Sequence, residues 1–600
     1  MSPTKEKKRK ANSLRSLPGK ILAVCICLLP FLTREIAVAL PESVRSAYFY
    51  PAGQTSVNDF EQYCREIALL MIAAVFGIWT LAELLRRKPK LSQKHSHGAM
   101  LLLLAGYLGL GLASTLHSAY LPEALMGIHQ VYEGYLALAS YGIVFVAAWY
   151  WTGRDGVQRF VRECLTVLFL VIGVTALLES CGIFYYNNPL VQLVGGLDGK
   201  VGPSEDGSIA MMFGNSDYLG MYCAFLLPVS ASMISKKDSM LRLMVQILAS
   251  VLLAAALLQS KVMSAILIGF GMTALFLLVW LLRSNWRKAG KRLVCGGVCV
   301  AIVAGGIGFV ASRSGDTLSE KIQHTMIGME QEETFRLLSM RVDGNALVLR
   351  NQDTEFRVET AEARLSADDM TYTCNDVAVV PQTETDGMLT FAEPALQHCQ
   401  LQIEGNKLSF LLGYATPLQA IRKADGWQVL GIGGELLDQV PLVSENPRLA
   451  ACYPYLNGRV FVWANTISVL PDCIVLGHGP ATSLFYLNQN DLPALLNIFG
   501  TYVLYNKPHS WYLQMAQDTG LLSLAAVVGM LVLFLVCGGK NCFGKKGTFT
   551  PFRAALFFTV ETYCLLGFFH DSLIYHAPMF WFLFGMSWRE LSQKKTSESA

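Results

Sequence analysis

LRLMVQILASVLLAAALLQSKVMSAILIGFGMTALFLLVWLL, residues 241–282, contains only two charged side chains, Arg242 and Lys261. A helix rises about 1.5 Å per residue, so about 20 apolar residues cross a hydrocarbon layer of about 30 Å. The stretch is long enough to do this twice, and Gln259-Ser260-Lys261 marks where it turns back. Residues 241–259 and 262–282 therefore read as an antiparallel pair of membrane helices. The whole chain agrees: 600 residues with 53% hydrophobic and 16% charged content, against about 25% charged in soluble proteins.

Working outward, about twelve runs of spanning character are expected, at approximately 19–38, 66–85, 98–117, 130–151, 163–184, 216–234, 241–259, 262–282, 293–311, 519–538, 554–570 and 575–588. The connections Arg86 to Lys90, Arg154 to Arg162, Lys236-Lys237, Arg283 to Arg292 and Lys540 to Lys546 are basic and fall on one side, which the positive-inside rule makes cytoplasmic. An even helix count puts both termini there. Residues 1–18 are then a cytoplasmic basic tail, 19–311 the first nine membrane helices, 519–588 the last three and 589–600 a second cytoplasmic tail. The basic head and the apolar run from Ile21 to Leu32 lack a small-residue cleavage site, so a retained first helix is expected rather than a signal peptide.

Residues 312–455 break the pattern. Ala346-Leu347-Val348-Leu349, Phe356-Arg357-Val358-Glu359, Leu401-Gln402-Ile403 and Trp427-Gln428-Val429 are short strand-like runs, punctuated at Asp343-Gly344, Glu404-Gly405-Asn406 and Asp425-Gly426. Such runs read as hairpin-linked strands. A β-rich extracytoplasmic insert of about 100 residues is expected, preceded by a short helix around Leu318 to Ser339. The insert serves either as a structural appendage or in glycan or partner binding. Cys374 and Cys399 lie in it and could pair in an oxidising compartment, although spacing does not dictate pairing.

Residues 456–518 form the candidate catalytic loop. Arg459 and Trp463 are one turn apart, so a short helix from Asn457 to Leu470 points both the same way. Pro508 precedes His509 just before a helix start near Ser510 or Trp511, where backbone N–H groups suit anionic oxygen atoms. His509 read alone is more readily a membrane-border histidine beside Trp511 and Tyr512. Lys261 stands at the exported end of two apolar helices, where an ionisable group is expensive; it also reads as a lysine snorkelling to the interface. Asp472 and Asp518 lie near helix ends and read as capping residues. Walker, His-Glu-x-x-His and Gly-x-Ser-x-Gly motifs are absent, as is any Cys/His spacing for zinc, so ATP-driven, metalloprotease and serine-hydrolase chemistry lose their usual signatures. Neither a metal nor another cofactor is expected, and no nucleic-acid partner.

Phe213-Gly214-Asn215-Ser216-Asp217-Tyr218-Leu219, Ser260-Lys261, Arg459-x-x-x-Trp463, Pro471-Asp472 with Gly477-His478-Gly479, and His509-Ser510-Trp511-Tyr512-Leu513-Gln514 with Gly520 together resemble the O-antigen ligase and O-antigen polymerase superfamily of bacterial envelope glycosyltransferases. The resemblance covers most of the chain and departs from the family where Lys261 replaces a common Arg and where the insert is larger than usual. It implies a GT-C-like α-helical membrane fold and transfer of a glycan from a polyprenyl diphosphate carrier to a hydroxyl of a glycan, lipid, cell-wall or protein acceptor, on the exported face of the cytoplasmic membrane, with no cofactor. In that reading His509 and Arg459 are catalytic, Lys261 and Arg459 hold the diphosphate, and Trp463, Asn215 and Gln514 support them. A transporter or flippase of lipid-linked glycan, and an envelope sensor or scaffold, are the competing classes.

Overall fold

The structure is a computed structural model that describes residues 3–51, 53–87, 95–197, 199, 201–202, 204, 207–233, 239–283, 334–383, 388–544 and 549–592. Six described helices are long and apolar enough to cross a membrane: Gln62–Arg86, Ser96–His117, Val157–Ser180, Met240–Gln259, Met263–Leu282 and Leu521–Phe543. Their outer faces carry exposed Ile78, Leu102, Val167, Leu241, Leu267 and Val536, which lipid would cover. Shorter helices at Tyr135–Trp151, Ser216–Ser232, Pro551–Leu566 and Ala577–Leu591 fill the centre. Ala577–Leu591 is buried on nearly every side, with Trp581 and Trp588 among the largest fully enclosed side chains, as expected of a helix that is hydrophobic all round. The apolar run at 293–311, most of the helix expected from Leu318 to Ser339 and several basic connections lie outside the described residues; the described end of that expected helix, 334–339, is not helical, and Ser339 opens a strand.

The first expected span, 19–38, is corrected. The helix begins at Pro3, inside the stretch read as a tail, and ends at Leu28; a 3-10 turn Leu29–Phe31 and a strand Ile36–Ala39 follow. Pro30 has no N–H to donate, and the chain beyond it finds other partners: Arg34 N–H donates to Phe60 O at 2.7 Å and Glu35 N–H to Gly195 O at 2.8 Å. The runs expected to end at 184 and 570 likewise stop at Ser180 and Leu566, which frees the following residues to form turns.

Connections meet in two sets. At one end Tyr185 Oη donates to Phe31 O at 3.0 Å, Ser264 Oγ meets His570 Nε2 at 2.9 Å and Asn506 Nδ2 donates to Tyr48 Oη at 2.8 Å. At the other end Gln158 bonds Glu590, Arg283 bonds Phe543 O, and Trp151 Nε1 donates to Thr80 Oγ1 at 2.9 Å. The candidate catalytic loop and the β-rich insert belong to the first end.

The insert is two antiparallel meanders. Five strands run Ser339–Asp343, Ala346–Arg350, Glu355–Glu359, Thr371–Cys374 and Val377–Ala378; seven run Pro381–Thr383, Leu389–Phe391, Gln400–Glu404, Lys407–Leu411, Leu418–Lys423, Gly426–Leu430 and Leu436–Leu437. Asp343 pairs with Ala346 and Glu404 with Lys407, so Gly344-Asn345 and Gly405-Asn406 are two-residue hairpin loops, with both glycines at positive φ as such turns require. Glu355–Glu359 alternates in burial as expected, whereas Ala346–Leu349 is buried throughout. Phe356, Leu347 and Leu349 share one core with Leu401, Phe410, Trp427 and Val429, and Leu492 and Leu496 complete it. The helix Leu492–Phe499 thus seats the insert on the loop below, because its Ala494 and Leu495 pack with Phe461 and Tyr505 instead. Cys374 and Cys399 are buried in the insert core as free thiols.

Candidate functional site

The helix expected near Ser510 spans Trp511–Thr519. Two amides at its start are occupied by protein: Ser510 N–H donates to Asp571 Oδ1 at 3.1 Å, and Trp511 N–H to the carbonyls of Gly567 and His570, each at 2.8 Å. This corrects the expectation that these amides face an anionic ligand. Trp511 is buried against Tyr563 and Phe580 rather than lying at a membrane border.

The same turn holds His509. This residue adopts a left-handed backbone (φ 54°), rare for a non-glycine residue, and its Nδ1 lies 3.2 Å from Asp571 Oδ2. The imidazole is 43% exposed and the Asp571 side chain only 4%, so an inner carboxylate orients an outer ring. Nε2 of His509 has no protein partner among the described residues. Burial alone would raise the Asp571 carboxyl, but the hydrogen bond and charge of His509, with Lys507 and His570 adding to them, hold it below the ordinary carboxylate range. His570 is different: burial, reinforced by Arg459 and His509 and opposed by Asp217 and Asp571, pushes its imidazole down to about 4. It is a neutral hydrogen-bonding partner of Ser264.

Arg459 opens the helix Arg459–Val469, two residues inside the expected start. Its guanidinium lies 3.2 Å from Asp217 Oδ2. Asn215 accepts the Asp217 N–H at 2.7 Å and so caps the helix Ser216–Ser232; its role is to set Asp217. Trp463 faces the same way as Arg459 and donates from Nε1 to the His509 carbonyl at 3.4 Å. Gln514 is buried, accepts Ser572 N–H at 2.8 Å and reaches Glu133 Oε2 at 3.5 Å.

His509, Arg459, Trp463 and Gln514 are thereby drawn together, with Asn215 one step behind Arg459. Lys261 is on the same end of the helices, in a left-handed backbone (φ 58°). Its Nζ lies against Gly207, 3.3 Å from where a Cβ would be, and Ser264, one turn on, is the residue that meets His570.

Three groups were missed from sequence. Asp571 and Asp217 are the acidic partners of His509 and Arg459, and Lys507 is a buried cation 5.6 Å from the Tyr218 ring centre. The available signal was the pair His570-Asp571 in a short connection between apolar runs, where ionisable groups are expensive. Asp518 is also corrected: it is buried in the last turn of its helix, with Oδ1 unpartnered, and its carboxyl bonds the Ala481 backbone rather than capping its own helix. Burial and the nearby Glu133 raise its carboxyl well above the ordinary range.

Gly477 and Gly520 form a clamp. A Cβ on Gly477 would lie 2.4 Å from Gln517 O, and one on Gly520 2.6 Å from Val475 O. The closeness lets His478 N–H and Gly479 N–H donate to Gln517 O and Asp518 O, both at 2.9 Å, which satisfies carbonyls at the helix end. His478 stacks on Tyr486 at 3.8 Å between ring centres, and burial lowers its pKa. No cluster of three or more His, Cys, Asp or Glu among the described residues is arranged to hold a metal ion.

No family model, curated protein or solved structure matches this chain.

Proposed function

We propose that this chain is a membrane glycosyltransferase of the O-antigen ligase and polymerase type, moving a glycan from a polyprenyl diphosphate carrier to an acceptor hydroxyl on the exported face of a bacterial cytoplasmic membrane. The observation that carries the reading is the His509–Asp571 pair with an open Nε2, set beside the Arg459–Asp217 pair at one end of a bundle of apolar helices. In the proposed reaction the acceptor hydroxyl donates its proton to His509 Nε2 as its oxygen attacks the anomeric carbon. The bond from that carbon to the diphosphate oxygen breaks, and its electron pair leaves with the diphosphate. Asp571 stabilises the imidazolium and fixes the ring, the role an orienting carboxylate plays in acyl-transfer triads. Arg459 and Lys261 neutralise the charge that builds on the leaving group, as fixed cations do where water is excluded. Arg459 pairs as a fork and Lys261 as a point charge.

The same reading takes the first helix, the shorter apolar helices and the run at 293–311 as further spans, giving about twelve in a GT-C-like arrangement with both termini in the cytoplasm. The β-rich insert then stands outside the cell membrane, seated over the loop that carries Arg459 and His509. The test is transfer in proteoliposomes containing the purified full chain and the lipid-linked glycan of the cells that make it. His509→Ala, with unchanged insertion and thermal stability, is expected to lose at least about a hundredfold in turnover; full transfer by this variant would remove His509 from the mechanism.

A further inference from the structure

Glu133 lies in the segment between the helices Leu121–Met126 and Tyr135–Trp151 and is 2% exposed. A buried carboxyl is costly unless its oxygens are satisfied, and these are. Tyr141 Oη and Ser572 Oγ both donate to Oε1, the latter at 3.2 Å, and Gln514 Nε2 approaches Oε2 at 3.5 Å. Gln514 and Ser572 are also joined directly, through Ser572 N–H to Gln514 Oε1 at 2.8 Å.

Those contacts connect to the candidate site through the chain neighbours of Gln514 and Ser572. Ser572 follows Asp571 in the chain, and Gln514 lies one helical turn beyond Ser510, whose N–H holds the other oxygen of Asp571. The turn 570–572 is thus tied to the start of the helix Trp511–Thr519 at three points, Ser510 to Asp571, Gln514 to Ser572 and Trp511 to His570. Glu133 grips both members of the second tie from a third element.

We propose that Glu133 is a positioning residue that, through Gln514 and Ser572, holds the Asp571 turn in place so that its carboxylate keeps the His509 imidazole oriented. This rests on the transferase reading for its consequence in catalysis, but the brace itself is independent of what reaction the site performs. Other groups facing Glu133 are Lys507, Glu66, Asp518, Tyr107 and Tyr563. Burial pushes the Glu133 carboxyl up to about 7, while Tyr141, Lys507, Ser572 and Gln514 act in the opposite direction. Glutamine keeps an oxygen for Tyr141 and Ser572 and gives up only the 3.5 Å approach of Gln514, where two NH2 groups would meet, so Glu133→Gln is the conservative replacement and Glu133→Ala the disruptive one.

Two measurements on the full chain in proteoliposomes test the brace. In hydrogen exchange read by mass spectrometry, Glu133→Ala is expected to lose at least about tenfold in protection at the Ser510 and Ser572 amides, with the spanning helices unchanged and Glu133→Gln near wild type. In transfer of the cells' own lipid-linked glycan, Glu133→Ala is expected to lower kcat at least about tenfold with KM within about twofold, and Glu133→Gln to restore most of kcat. Unchanged protection in Glu133→Ala overturns the brace whatever the activity. Lost protection with wild-type kcat overturns the positioning role. A wild type that transfers no glycan, yet shows the expected exchange pattern, rejects the transferase reading and leaves the brace standing. If Glu133→Ala does not insert, Ser572→Ala, which removes the Oγ contacts with Glu133 and Tyr563 and leaves the backbone N–H in place, takes its place with the same expected directions and the same overturning results.

Discussion

Replacing Asp571 by asparagine separates orientation from folding. Asparagine is nearly the same shape, and its carbonyl oxygen can still accept the Ser510 N–H that Asp571 now accepts at 3.1 Å. The fold therefore loses one charge-assisted bond, a cost of about 1–3 kcal/mol. The effect on His509 is larger. An amide NH2 in place of Oδ2, 3.2 Å from Nδ1, favours the tautomer in which Nδ1 accepts and Nε2 carries the proton. Nε2 is then unable to take the acceptor's proton, and the imidazolium has no counter-charge. General-base assistance is worth about 10²–10⁴-fold, or roughly 3–5 kcal/mol of barrier at about 1.4 kcal/mol per decade. Single-turnover transfer of a fluorescently tagged lipid-linked glycan reads this directly. Asp571→Asn is expected to fall by at least about a hundredfold while its melting temperature drops by only a few degrees. A folded Asp571→Asn protein within about threefold of wild type would refute the idea that this carboxylate orients the base. Asp571→Ala adds a different injury, since it also leaves a buried N–H unpaired, at about 1–3 kcal/mol more, and is expected to be the less stable of the two.

Arg459→Ala is expected to lower kcat about a hundredfold by removing a fixed cation from the leaving group, and Arg459→Lys to recover only part of it because a lysine cannot make the forked contact; wild-type kcat in Arg459→Ala would take the residue out of the site. Stability should also report Glu133. Its carboxyl sits at about 7 in the fold against an ordinary 4.5, so below pH 4.5 both states hold the proton and the group adds no slope. As pH rises from 4.5 to 7 the unfolded chain releases its proton first, and the fold loses stability that reaches roughly 3 kcal/mol above that window. The melting temperature of wild type relative to Glu133→Gln should therefore fall between pH 5 and pH 8; parallel curves would show that Glu133 is not held protonated.

The sequence is informative wherever the deciding interaction is local. Runs of about 20 apolar residues must bury their backbone in helices to cross lipid, and nearly every such run among the described residues lies on a helix. Gly344-Asn345 and Gly405-Asn406 turn hairpins because a two-residue loop needs positive φ. Arg459 and Trp463 share a helix face because four residues make about one turn.

What the tertiary structure alone decided are the pairings. Asp571 meets a histidine 62 positions earlier in the chain, Asp217 an arginine 242 positions later, and Glu133 a glutamine 381 positions later. A capping rule tells where an aspartate suits a helix, but not that Asp518 is instead buried in the last turn with one oxygen unpartnered. A helix start suggests an anion site, yet here the turn 567–571 supplies the acceptors first. The conserved physics is the same in both cases: local propensity places each polar group on an element, and the packing of distant elements determines which other group satisfies it.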